Sequence, residues 1–124
     1  MDRGIITITE NGAVTMPTAP VWMTQQEMCD TFNVFSCYIR KAIAAIYKNN
    51  ELSEEETVWH VRQDGRICYD VYNLEMVIAV AFRLRSREAM AFRKFIVERL
   101  YTASREKSVN LLFSLSVASP RCSC

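Results

Sequence analysis

Near its start the chain carries two β-branched runs, Ile5-Ile6-Thr7-Ile8-Thr9 and Ala13-Val14-Thr15-Met16, separated by Glu10-Asn11-Gly12. An Asn-Gly step supplies the positive φ angles of a tight turn, so the pattern predicts a short N-terminal β-hairpin. Pro17 and Pro20 cannot donate to a ladder and end it, leaving Val21-Trp22-Met23 extended. The period then changes from two to that of a helix. Thr24-Gln25-Gln26-Glu27 matches a capping box, in which the threonine oxygen accepts from the third amide while the glutamate reaches back. Met28, Cys29 and Phe32 give this helix one narrow apolar face before Asn33 interrupts it. Ser36 is the expected cap of a second helix, with Ile39, Ala42, Ile43 and Ile46 on one side and Asn49-Asn50 at its end.

The stretch from Glu51 to Glu56 holds four acids and no base, and reads as a solvated loop. Val58-Trp59-His60-Val61-Arg62 and Ile67-Cys68-Tyr69-Asp70-Val71-Tyr72 flank Asp64-Gly65, which predicts a second hairpin. Asn73 caps a third helix to about Leu84, with Leu74, Val77, Ile78, Ala81 and Phe82 facing one way. Ser86 caps a fourth, with Glu88 in its first turn and Ala89, Phe92, Ile96 and Leu100 at helical spacing, to about Ser104. Beyond Lys107 serines break the pattern, and residues 108–124 are a C-terminal tail of unassigned structure. The expected architecture is α+β in one domain, 1–107: N-terminal β-hairpin, helix-turn-helix, wing-like β-hairpin and two C-terminal helices. No internal repeat is visible.

Composition narrows the function. At 124 residues, half of them apolar, the chain suffices for one compact core. Fifteen basic and fourteen acidic residues leave a net charge of +1, so any basic footprint must be local. The longest apolar stretch, Val109 to Ala118, falls short of the roughly 20 residues of a membrane span. Met1-Asp2-Arg3-Gly4 does not open a secretory signal, and a cytoplasmic protein is expected. Cys29, Cys37, Cys68, Cys122 and Cys124 form no CxxC pair and the one histidine is His60, which disfavours structural zinc, while disulfides lack a secretory context. Gly4, Gly12 and Gly65 build no phosphate loop. His60 with Cys68 or Cys29, oriented by Asp64 or Asp70, is a conceivable nucleophile pair, but a structural imidazole in a strand is the simpler reading. Neither enzymatic activity, nor a cofactor, nor a small-molecule substrate is therefore expected.

The segment from Trp22 to Lys48 meets the demands of a helix-turn-helix. Cys29 is the small residue where the second helix crosses the first, and Asn33 tolerates the left-handed conformation of the turn. Met28, Phe32, Val34, Ile39 and Ile43 are the apolar anchors. With the second helix in a major groove, Ser36, Cys37, Arg40 and Lys41 point at DNA, Lys48 lies nearer the backbone, and Arg40 is the best candidate for a base edge. The second hairpin then has the place of a wing, with Arg62 and Arg66 beside its turn to meet phosphates. Arg83, Arg85, Arg87, Arg93, Lys94 and Arg99 form the densest basic stretch. The same elements also suit an ordinary helical hairpin, a solvated turn and a solvated helical face.

Val21-Trp22-Met23-Thr24-Gln25-Gln26-Glu27-Met28, Tyr72-Asn73-Leu74-Glu75-Met76-Val77-Ile78-Ala79-Val80, and Arg83-Leu84-Arg85-Ser86 leading to Ala91-Phe92-Arg93-Lys94-Phe95 resemble the bacterial RhuM family of virulence-associated proteins. The last block is also similar to the end of the Bro-N domain of viral and phage antirepressors. The resemblance covers roughly Val21 to Leu100. It implies DNA binding, often on mobile elements, in a transcriptional regulator or antirepressor-like protein, and supplies no catalytic residues. Double-stranded DNA is the expected partner, with recognition helix Ser36-Asn49, and a homodimer is left open. The alternative is a protein–protein interaction or dimerisation module without nucleic acid, using the apolar fourth helix and the tail.

Overall fold

The computed structural model describes residues 2–115, with side chains as far as residue 105. Chain contacts divide it into two compact units, Met1–Arg93 and Lys94 onward. The fold is α+β: a small N-terminal hairpin, helices, a three-stranded antiparallel sheet and C-terminal helices.

The N-terminal hairpin pairs only β1 (Thr7–Ile8) with β2 (Val14–Thr15). Its turn differs from the expected Asn-Gly form, since Gly12 alone has positive φ, at 83°. The Gly12 amide donates to the Thr9 carbonyl at 2.9 Å and the Thr9 amide to the Ala13 carbonyl at 3.0 Å. That pattern is a three-residue loop closed by a glycine in the left-handed region. The chain then returns along its own start: the Gly4 amide donates to Pro20 and the Trp22 amide to the Gly4 carbonyl.

The extended Val21-Trp22-Met23 segment contains an edge strand. β3 (Trp22–Met23) pairs antiparallel with β5 (Arg66–Asn73), which pairs with β4 (Val58–Gln63), giving the order β3-β5-β4. Asp64 and Gly65, with φ of 56° and 80°, make the two-residue turn between β4 and β5 that their sequence predicts. A bulge between Val61 and Arg62 shifts the register near the tip.

Between β3 and β4 lie α1 (Gln25–Phe32), α2 (Ser36–Lys48) and a one-turn α3 (Glu54–Thr57). The acidic stretch expected as loop is thus partly helical. Thr57 explains why: its hydroxyl, 1% exposed, donates to the Ser53 carbonyl at 2.7 Å and bonds the Tyr47 hydroxyl at 2.8 Å. A buried hydroxyl needs such partners.

α4 (Leu74–Ala81) starts from the Asn73 cap as expected, its side chain accepting from Met76 N at 3.1 Å. It ends earlier than expected and buries Met76, Val77, Val80 and Ala81 rather than the Phe82 side. Phe82, the C-cap, is 51% exposed, beneath the Arg93 guanidinium. Arg93 donates to the Ala81 and Leu84 carbonyls, both at 2.7 Å, satisfying acceptors that the helix end leaves open. α5 (Arg87–Leu115) runs past the expected end at Ser104, so the first residues expected as tail are helical. Cys122 and Cys124 lie outside the described residues.

The core of the first unit gathers Ile6, Met23, Met28, Phe32, Ile39, Ile46, Val71, Met76, Val77, Val80 and Phe92. Phe32 from α1 and Phe92 from α5 meet at a centroid distance of 5.6 Å. Burying each such side chain contributes about 1.5–3 kcal/mol.

Candidate nucleic-acid interface

The first helix begins on the capping box that the sequence predicts. The Glu27 amide donates to Thr24 Oγ1 at 3.0 Å, and the Thr24 amide donates to Glu27 Oε1 at 2.8 Å. α1 ends on Asn33, whose φ of 55° and ψ of 54° place it in the left-handed region. The amides of Asn33 and Val34 both turn back to the Cys29 carbonyl. Three residues, Asn33 to Phe35, therefore separate the two helices. Cys29 is buried between them, where burial, assisted by neighbouring Asp30, pushes its thiol pKa up.

α2 differs at its start. Phe35, not Ser36, is the N-cap, and it makes no side-chain cap bond. Ser36 is the first helical residue and is exposed. At 3.6 residues per turn, the buried Ile39, Ala42, Ile43 and Ile46 occupy one arc of the helix. Ser36, Arg40, Ala44, Cys37, Lys48 and Lys41 follow, in that order, from the edge of the buried arc round to the opposite side. Of these only Cys37 is partly covered; the rest are exposed. Arg62 and Arg66 flank the Asp64-Gly65 turn and are exposed. The sequence thus locates all seven candidate residues on two exposed features, one face of α2 and the tip of the β4–β5 hairpin.

The fold distinguishes these cations from others. Arg3 is held by Glu27, Arg83 by Glu51, and Arg93 by backbone carbonyls. Among the described residues, Arg40, Lys41, Lys48, Arg62 and Arg66 form no ion pair. Their charge has no carboxylate partner and is open to an anionic one, although Lys48, in the last turn of α2, also favours the helix dipole.

Two exposed aromatics at the start of α2 escape the sequence reading. Phe35 is 78% exposed and Tyr38 55% exposed. The signal was present, since Tyr38 lies off the arc set by Ile39 and Ile43. Further exposed apolar side chains, Trp59, Ile67 and Tyr69, sit on the hairpin. His60 accounts for itself differently: its Nδ1 lies 2.6 Å from Asp70 Oδ1 across the β4–β5 pair, at an exposed position. No cluster of three or more metal-ligating side chains occurs among the described residues, and no described helix is long and apolar enough to cross a membrane.

The chain matches no family model, no curated protein and no solved structure.

Proposed function

We propose that this chain is a duplex-DNA-binding module, with α2 as the recognition helix and the β4–β5 hairpin as a wing. One observation carries the reading: α2 buries one side completely and offers on the other an arc of exposed, unpaired Arg40, Lys41 and Lys48. A helix of this kind, held by a three-residue turn, fits a major groove and reads it with Ser36, Cys37 and Arg40. Arg62 and Arg66 on the hairpin tip then meet phosphates of the adjoining backbone. A regulatory, non-enzymatic role akin to that of RhuM or Bro-N proteins belongs to the same proposal, supported by the sequence blocks named above.

The test is binding to a random-sequence duplex pool across a salt series. Binding is expected to weaken steeply with salt and to vanish in Arg40→Glu with Lys41→Glu, while the thermal melt of that variant matches the parent. Undetectable or salt-independent binding by the parent chain would overturn the reading. The second reading, a protein-binding or self-associating module, draws on Val97, Leu100 and Tyr101, which are exposed on α5.

A further inference from the structure

We propose that the shallow groove beside the start of α2 seats one sugar-phosphate unit of the duplex backbone, with Arg85 and Tyr38 as its contacts. The inference rests on the DNA-binding reading and extends the contact surface from α2 to the elbow between α4 and α5. The groove, of about 440 Å³, is lined by Val34, Tyr38, Arg83, Leu84, Arg85 and Ser86.

Its chemistry is divided in the way a nucleotide backbone is divided. Val34 and Leu84 supply apolar surface, which suits the carbon face of a deoxyribose. Tyr38, Arg85 and Ser86 supply donors, and Arg, Tyr and Ser are among the side chains that hold phosphate oxygens. Ser86 Oγ already accepts from the Ala89 amide at 3.1 Å, so its O–H remains to donate.

Charge selects the occupant. Arg83 is neutralised by Glu51 and also donates to the Ala79 carbonyl at 3.2 Å. Arg85 is exposed and, among the described residues, has no ion pair. The groove therefore carries one uncompensated positive charge, which favours an anionic group over a neutral peptide. Tyr38 also lies on the helix that carries Arg40, so the groove continues the proposed interface.

Duplex titrations over a salt series test this with three chains: the parent, Arg85→Ala and Tyr38→Phe. Loss of one phosphate contact lowers the magnitude of the slope of log K against log salt by about 0.9. Arg85→Ala is expected to lower it by about that amount, equally for every duplex sequence. Tyr38→Phe is expected to weaken binding at unchanged slope. A parent-like slope for Arg85→Ala would overturn the groove while leaving the role of α2 intact. Failure of the parent to bind removes the DNA reading itself.

Discussion

The guanidinium of Arg3 grips both carboxylate oxygens of Glu27, at 2.6 and 3.0 Å, and reaches the Trp22 carbonyl at 2.9 Å. Glu27 is also the capping-box residue of α1. One carboxylate thus ties the N-terminal segment, the edge strand and the first helix of the helix-turn-helix together.

This arrangement predicts an acid-sensitive fold. Burial pushes the Glu27 pKa up, but the hydrogen bonds from Arg3 and Thr24 outweigh it and leave the carboxyl below its ordinary value. A depressed folded-state pKa stabilises the fold above the unfolded-state value, and the contribution is lost as pH falls through the folded-state one. Thermal melts taken downward through and below the carboxylate range should show that loss in the parent chain. Glu27→Gln should be less stable near neutrality and flatter with pH; an equally steep acid loss in that variant would contradict the assignment.

The turn between α1 and α2 makes a second prediction. At Asn33, Gly avoids the Cβ clash of the left-handed region, whereas a β-branched residue meets it fully. Asn33→Gly is expected to change the urea midpoint little, and Asn33→Val to lower stability by about 1–2 kcal/mol. Equal effects of the two would rule out the backbone explanation.

Phe35 gives a third. It occupies the N-cap of α2 without making a cap bond, and its ring is largely in water. Phe35→Asp or Phe35→Ser should therefore raise stability by about 1 kcal/mol, readable as a higher denaturant midpoint at unchanged slope. An unchanged midpoint would show that the cap position is already satisfied. Positions that break a local rule are where function is expected, so the same variants belong in the duplex titration.

Thiol labelling supplies a fourth. Cys29 is buried with its pKa pushed up, first by burial and then by Asp30, while Cys68 is exposed. Alkylation of the native chain followed by peptide mapping should modify Cys68 quickly and Cys29 only on unfolding, because the thiolate is the reactive form. Comparable rates at the two would mean that α1 and α2 separate readily.

What the sequence revealed was local. The Thr24–Glu27 box, the left-handed Asn33, the Asp64-Gly65 turn and the Asn73 cap are each specified within about four residues, and each stands in the structure where its chemistry puts it. The pairing of Trp22 with Asn73 joins residues far apart in sequence, and periodicity carries no information on it. The Phe82 side of α4 was misjudged because Met76, Val77, Val80 and Ala81 set the buried arc, and at about 100° per residue Phe82 falls opposite its centre. Ser36 was read as a cap from its residue type, yet the turn geometry gives that role to Phe35. For the candidate interface, exposure of Arg40, Lys41 and Lys48 followed from the apolar period of α2, because cations off an apolar stripe face water, and that of Arg62 and Arg66 from their place beside the Asp64-Gly65 turn. The groove at Tyr38 and Arg85 needed the tertiary approach of the α4–α5 elbow to α2, which no local pattern encodes.

Trp22 and Trp59 are the two tryptophans of the chain, and they meet edge to face at 5.9 Å where β3 and β4 flank β5. Intrinsic emission and the near-ultraviolet dichroism of the indoles consequently report on the sheet alone, and the helical half contributes no indole signal. The molecule carries its own optical probe of the hairpin's base, and α2 can be followed separately by a fluorophore on Cys37 once Cys68, Cys122 and Cys124 are replaced by serine.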